Sequence, residues 1–176
     1  MNIRNVEFKA KVEELDSYRN SLMSLNPDFN GIDHQIDTYF NASKGRLKLR
    51  EGNIENSLIH YDRQNTASAK ESDIILYRHN PNPALKDILS LQLGIKVVVD
   101  KQREIYFIDN VKFHLDIVDG LGTFIEVEAI DDQNAFSIEQ LKAQCDQYFQ
   151  HFGLQPSQLI DKSYSDLILE KGMPIK

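Results

Sequence analysis

The chain has 176 residues, of which 27% are charged and 41% hydrophobic, and a formal net charge of −7. That length predicts one domain, spanning 1–176, with a core of its own, and the acidic balance argues against a general nucleic-acid binder. The apolar runs are too short to span a bilayer, and the opening stretch MNIRNVEFKAKV has no hydrophobic signal core, which points to a cytoplasmic protein. Cys145 is the only cysteine in the sequence, so an intramolecular disulfide and a cysteine-based zinc site are excluded.

Residues 2–12 alternate, with Val6, Phe8 and Ala10 opposite Asn5, Glu7, Lys9 and Lys11. That is a strand pattern. Residues 13–25 carry Leu15, Tyr18, Leu22 and Leu25 at helical spacing, stopped by Asn26, Pro27 and Asp28. Strands are expected at Ile32–Phe40, Gly45–Arg50, Ser57–Arg63 and Asp73–His79, with a polar loop over 64–70. Pro81 and Pro83 open a short helix that Gly94 ends near residue 93. Ile95–Ile108 reads as a strand, with Val97, Val99, Lys101 and Arg103 on one face.

Val111–Ile130 is the strongest local signal. It reads as a hairpin with its turn at Asp119–Gly122. Phe113, Leu115 and Ile117 oppose Lys112, His114 and Asp116, and Ile125 and Val127 oppose Glu126 and Glu128. A helix over 137–152 follows, with Gly153 as its cap, and a short final helix carries Tyr164, Leu167 and Ile168. About eight strands, mostly joined as hairpins, predict a β-rich α+β fold. A closed antiparallel barrel is expected, because closure removes exposed edges.

Several strands carry charge on one face and oil on the other. Basic pairs two residues apart occur at Lys9/Lys11, Lys48/Arg50 (with Arg46) and Lys101/Arg103, while Arg63, Lys70 and Arg78 stand singly. Acidic positions are Glu7, Asp37, Asp116, Glu126 and Glu128. Glu126 and Glu128 emerge on the same side of one strand, about 7 Å apart, and repel unless a cation sits between them. Two arrangements are open. The charges face water, or the helices cover the apolar strand faces from outside and the charges line a lumen. A lumen of both signs requires a ligand that satisfies both, and polyphosphate with a divalent cation does so. Neither a Walker-type loop nor HExxH occurs in the sequence. His114 lies on the polar face, where a satisfied structural histidine is the simpler reading.

These residues resemble the CYTH family, the triphosphate tunnel enzymes. The resemblance runs through VEFKAKV, HQIDTYF (34–40), GRLKLRE (45–51), YDR (61–63) with Lys70, VDKQREIY (99–106), HLDIVDGLGTFIEVE (114–128) and KSYSDLI (162–168), in family order. It implies an eight-stranded antiparallel tunnel with helices outside, admitting ATP or another triphosphate with Mg²⁺ or Mn²⁺. By the same resemblance Glu7, Asp116, Glu126 and Glu128 are metal ligands. Lys9, Lys48, Arg50, Arg63, Lys70, Lys101 and Arg103 contact phosphate, and Glu7, Lys9, Glu126 and Glu128 form the catalytic group. Arg46 and Lys11 are expected nearer the mouths, and Lys162 closes one end. Asn5 stands where the family opens with Glu, and its amide weakens one metal contact.

Within the family LGTFIEVE and HQIDTYF look most like class IV adenylyl cyclases, which convert ATP to 3′,5′-cyclic AMP and pyrophosphate. A hydrolase of tripolyphosphate, thiamine triphosphate or a nucleoside triphosphate is the alternative, as is a phosphorylated-ligand binding protein with little turnover. A carrier barrel for an apolar ligand would instead put oil in the lumen. For the enzyme, Glu126→Ala with Glu128→Ala is expected to abolish metal-dependent turnover while leaving stability equal or higher, since repulsion is relieved. Exposed helix faces leave room for a homodimer.

Overall fold

The computed structural model describes residues 2–62 and 70–172. In chain order it contains β1 (Asn2–Val12), α1 (Asp16–Met23), β2 (Asp28–Phe40), β3 (Arg46–Glu51), β4 (Ser57–Asp62) and β5 (Lys70–Arg78). There follow α2 (Pro83–Leu93), β6 (Ile95–Ile108), β7 (Val111–Val118), β8 (Gly122–Asp131), α3 (Ile138–His151) and α4 (Tyr164–Glu170). The eight strands are antiparallel in order β1-β5-β4-β3-β2-β6-β7-β8, and β1 pairs with both β5 and β8. The β-rich α+β class expected from the sequence is the one observed.

Two strands begin earlier than their alternation suggests. β2 starts at Asp28 because it pairs with β6 from Asp28↔Phe107 onward, across a register shift between Phe29 and Gly31. Gly31 takes φ +125°, a backbone region that disfavours other residues. The irregularity breaks the period-two pattern and hides the first turn of the strand. β5 starts at Lys70, where β1 extends the pairing through Glu7↔Lys70. Local sequence carries no signal for a partner that distant.

Three of the four helices among the described residues, α2, α3 and α4, begin at a side-chain cap. Ser137 and Gln140 make a reciprocal capping box on α3. Asn82 accepts from the Ala84 amide at the start of α2, Pro83 fits the first turn, and Gly94 ends it at φ +72°. α3 buries Leu141, Cys145 and Tyr148. These pack with Val6, Phe8, Phe113, Ile125 and Val127 in one apolar cluster, which Leu22 of α1 joins. Apolar strand faces of β1, β7 and β8 therefore lie beneath α1 and α3, with their charged faces on the opposite side.

α4 behaves differently. Tyr164 and Ile168 pack with Tyr39, Ile59, Tyr61, Val97, Val99 and Phe124 in a second cluster. Those strand residues share faces with charged neighbours two positions away, such as Tyr39 with Asp37 and Val99 with Lys101. Each inner face thus runs from apolar to charged along its length, and α4 covers the apolar end. α2 buries none of its residues and leaves Ile88 and Leu91 exposed. No helix among the described residues is long and apolar enough to cross a membrane.

The contrast between α3 and α2 gives a stability prediction. Leu141 is fully buried whereas Leu91 is 83% exposed. Leu141→Ala should cost about 2–5 kcal/mol in urea unfolding, and Leu91→Ala should stay within about 0.5 kcal/mol.

Candidate active site

A cavity of ≈ 750 Å³ is lined by the polar inner faces. Register decides which charges meet. On β8, Glu126 lies opposite Lys9 of β1 and His114 of β7, and Glu128 lies opposite Glu7 and Lys112. On β2, Asp37 lies opposite Arg50 of β3. On β6, Arg103 lies opposite Asp116 of β7.

The cations gather around Asp37. Arg50 donates to both of its oxygens at 2.8 and 2.9 Å, Lys101 reaches it at 2.8 Å and Lys48 at 3.1 Å. Burial alone would raise this carboxyl, but Arg50, Lys101 and Lys48 together hold it well below the usual range. Three basic groups surround this one carboxylate, and Arg50 is shared with Glu55 at 2.9 Å. Burial lowers the Lys101 ammonium to about 7, with Asp37 opposing the shift.

A second group centres on Glu126. Lys9 Nζ lies 2.7 Å from Oε1, and Arg103 donates to Oε2 in a close pair. Burial opposes ionisation here too, and Lys9 and Arg103 overcome it, keeping Glu126 well below the usual carboxylate range. Asp116 is fully buried, with Arg103 donating to its oxygens at 2.7 and 2.5 Å and Tyr164 Oη donating at 2.7 Å. Glu128 is the opposite case. Burial, then the charges of Glu7 and Glu126, push it up to about 7. Directly opposed carboxylates destabilise a strand pair unless a proton or cation intervenes.

The residues present fit a divalent cation. His114, Glu126 and Glu128 each offer a donor atom, and these atoms all lie within 4.8 Å of one another. Asn5 Oδ1 and His114 Nε2 are buried without a hydrogen-bond partner, and both residues line the cavity. Burial, aided by Arg103 and Lys112, lowers the His114 imidazole to about 3, so it is neutral.

Of the residues expected from the sequence, Glu7, Lys9, Lys48, Arg50, Lys101, Arg103, Glu126 and Glu128 line this one cavity. Asp116 sits behind it, holding Arg103. Arg63 lies outside the described residues, as does the side chain of Lys70. Lys11 is exposed, and Arg46 pairs with Asp166 of α4 at 2.8 Å. Lys162 is paired with Glu170 at 2.6 Å at the surface.

One contributor, Glu55, was not singled out from the sequence, and two more, Lys112 and Asp37, were named without the part they play. Glu55 binds Lys112 closely and Arg50 at 2.9 Å. It is placed by Asp33, which accepts from the Ile54 and Glu55 amides at 2.9 and 3.0 Å. Gly52 permits this approach, because a Cβ there would come within 2.7 Å of the Asp33 carboxylate. Glu55 sits between strands, where no periodicity marks it. Lys112 was legible only as a polar-face residue of β7. Asp37 was legible as an acid among bases but not as the hub that joins three of them.

Pairing also corrects one expectation. Glu126 does not simply repel Glu128, since it neutralises Lys9 and Arg103. In metal-free protein at pH 8, Glu128→Gln should leave the melting temperature equal or higher. Glu126→Gln should cost on the order of 3 kcal/mol, the scale for unpairing buried charge. Thermal unfolding in chelator checks both.

Comparison with known proteins bears on the fold and the family. The chain resembles a Pyrococcus horikoshii protein, PH1012, at TM-score 0.79 and 24% identity, covering 93% of this chain and 98% of that one. It also resembles a Vibrio parahaemolyticus protein provisionally called an adenylate cyclase, at TM-score 0.74 and 17% identity, over 94% and 97%. A third is HpAC1 from Hippeastrum, described as revealing a dominant triphosphatase activity, at TM-score 0.62 and 13% identity, over 99% and 98%. At these identities the likeness shows the fold alone. No curated protein matches. The CYTH domain profile matches residues 4–163, and the chain belongs to the CYTH family.

Proposed function

We propose that this chain is a metal-dependent enzyme of triphosphate chemistry, whose strands form a tunnel around the phosphate chain. ATP is the assigned substrate, and its cyclisation to 3′,5′-cyclic AMP and pyrophosphate is the assigned reaction. One observation carries the reading. A single cavity holds a cation-rich group at Asp37 and a carboxylate–imidazole group at Glu126. The first suits phosphate oxygens and the second a divalent ion.

Lys48, Arg50 and Lys101 would bind the β- and γ-phosphates, taking them in exchange for part of their contact with Asp37. Lys9 and Arg103 would turn from Glu126 to the phosphate nearest it. Asp116 and Tyr164 keep Arg103 aimed during that exchange. Charge that develops on the departing pyrophosphate would thus meet donors already in place. Glu7, Glu126 and Glu128 would hold Mg²⁺ or Mn²⁺, which when bound supplies the positive charge that acidifies the attacking hydroxyl. Binding and orientation need no covalent intermediate.

Ile59, Tyr61, Ile74 and Leu76 line the same cavity. An inorganic tripolyphosphate has no use for an apolar wall, whereas a base or thiamine ring does. This favours an organic triphosphate. The second reading is hydrolysis of such a substrate, with water attacking the terminal phosphorus. The likeness in fold to HpAC1, named as an adenylyl cyclase yet described as revealing a dominant triphosphatase activity, favours keeping it in view.

Phosphorus NMR of the protein with ATP and Mn²⁺ decides between them. Pyrophosphate with a cyclic phosphodiester signal is the expected result. Orthophosphate would establish the hydrolase, and no turnover with retained metal-dependent binding would make this a binding protein. A second prediction concerns pH. A phosphate beside Lys101 raises its proton affinity above that of the free protein, which is half-charged near pH 7. Tripolyphosphate binding at pH 8 should therefore take up a proton through Lys101, and that contribution to affinity should fall as pH rises past 7. Calorimetry in buffers of different ionisation enthalpy measures the uptake, and Lys101→Met should reduce it.

A further inference from the structure

We propose that His114 is a direct metal ligand, and that with Glu126 and Glu128 it makes a site selective for a first-row transition ion over Mg²⁺. The inference rests on the reading of this cavity as metal-binding and goes further, to the donor set and the class of ion.

Geometry is the first support. His114 Nδ1 lies 3.3 Å from Glu126 Oε2 and 3.5 Å from Glu128 Oε1. Two donors that share one ion at about 2.0–2.2 Å each stand roughly 3–3.5 Å apart, so these spacings are those of neighbouring ligands on one centre. The cross-strand register holds them there, because His114 pairs directly with Glu126 while Glu128 follows two residues along the same face.

Unsatisfied polarity is the second. The His114 side chain is 1% exposed, yet its Nε2 has no hydrogen-bond partner. Asn5, on the inner face of β1 two residues before Glu7, carries a buried Oδ1 that is equally unpartnered. Buried polar atoms are normally satisfied, so the Asn5 orphan in this cavity points to a ligand or its bound water, while the unengaged Nε2 speaks against a purely structural histidine. A structural histidine would have both nitrogens engaged by protein. Here Nδ1 meets only carboxylates, in a long hydrogen bond to Glu126 that an ion would replace, and Nε2 meets nothing.

Chemistry then selects the ion. Mg²⁺ prefers oxygen donors in near-ideal octahedral array and keeps its waters. An imidazole nitrogen favours Fe²⁺, Ni²⁺ and Zn²⁺, and Mn²⁺, although it takes oxygen donors well, accepts nitrogen more readily than Mg²⁺ does. One nitrogen with two carboxylates is a mixed donor set that the harder ion uses poorly. Asn5 adds to the bias, since a neutral amide supplies less of the negative charge on which Mg²⁺ binding depends.

The test uses Mn²⁺ alone as probe. Pulsed EPR of Mn²⁺-loaded wild-type protein should show nitrogen coupling that changes when histidine is ¹⁵N-labelled and is lost in His114→Gln. By titration, Mn²⁺ should bind at least about tenfold more tightly than Mg²⁺. Even second-shell changes cost 10–100-fold at metal sites, so His114→Gln should weaken Mn²⁺ by about tenfold or more and Mg²⁺ far less. Bound Mn²⁺ without nitrogen coupling, coupling that survives in His114→Gln, or equal loss of both ions would overturn the proposal while leaving the triphosphate reading intact. Failure of either ion to bind, alone or with tripolyphosphate, would overturn both. Nitrogen coupling without turnover of any triphosphate would uphold the ligand set and remove the enzyme. If His114→Gln does not fold, an anomalous difference map of wild-type crystals in Mn²⁺ decides. A peak bonded to the imidazole supports the proposal, and one on carboxylates alone overturns it.

Discussion

Buried charge in an enclosed interior must be neutralised, and in this protein that constraint organises everything inside the sheet. Lys101, Arg103, Asp37 and Asp116 are all nearly inaccessible to water. A charge in such a place is tolerated only when an opposite charge or hydrogen bond meets it. The molecule answers with cross-strand pairs. Asp37 gathers three cations, Asp116 takes a guanidinium at both oxygens, and Glu126 stands between Lys9 and Arg103. The arrangement costs stability compared with an apolar core, which is a reason to read it as functional.

Neutralisation is uneven, and the unevenness gives the site its direction. Around Asp37 three basic groups surround the acid, so an incoming polyanion finds donors already assembled. Glu128 faces Glu7 across the β1–β8 pair, and burial, then the charges of Glu7 and Glu126, push its carboxyl up to about 7. The Asp37 end of the cavity suits a further negative charge and the Glu128 end a further positive one. A phosphate chain carrying a divalent ion supplies both at once, and neither component alone would.

The apolar framework serves the same end. α1 and α3 take up the oil on the outer faces of β1, β7 and β8, which is why the alternate residues can be polar inward. α4 packs against the apolar end of the interior, where Ile59, Tyr61, Ile74 and Leu76 still border the cavity. Its Tyr164 lies under Lys9, with the ammonium 4.1 Å from the ring centroid, and donates its hydroxyl to Asp116. Arg46 to Asp166 ties the same helix to β3. The site is thereby backed by packed side chains rather than by solvent.

Much of this was legible in the chain itself. Period-two alternation marked the strands, most sharply Val111–Val118 and Gly122–Asp131, because a two-sided strand must alternate. Pro83, Gly94, Ser137 and Gly153 marked helix ends through the backbone groups that those ends leave unpaired. The alternation also placed Glu126 with Glu128 and Lys101 with Arg103 on common faces, and the ordered motifs carried the family likeness. What it left open was which face turned inward and which strand stood beside which. Those depend on pairings between residues over a hundred positions apart, such as Glu7 with Glu128. Only the folded chain could set Lys9 and His114 on either side of Glu126, give Asp116 to Arg103, and bring Glu55 over from a loop. Side-chain periodicity is a local property of the backbone and is written in the sequence. The partner of a buried charge is a property of register, which the whole sheet settles together.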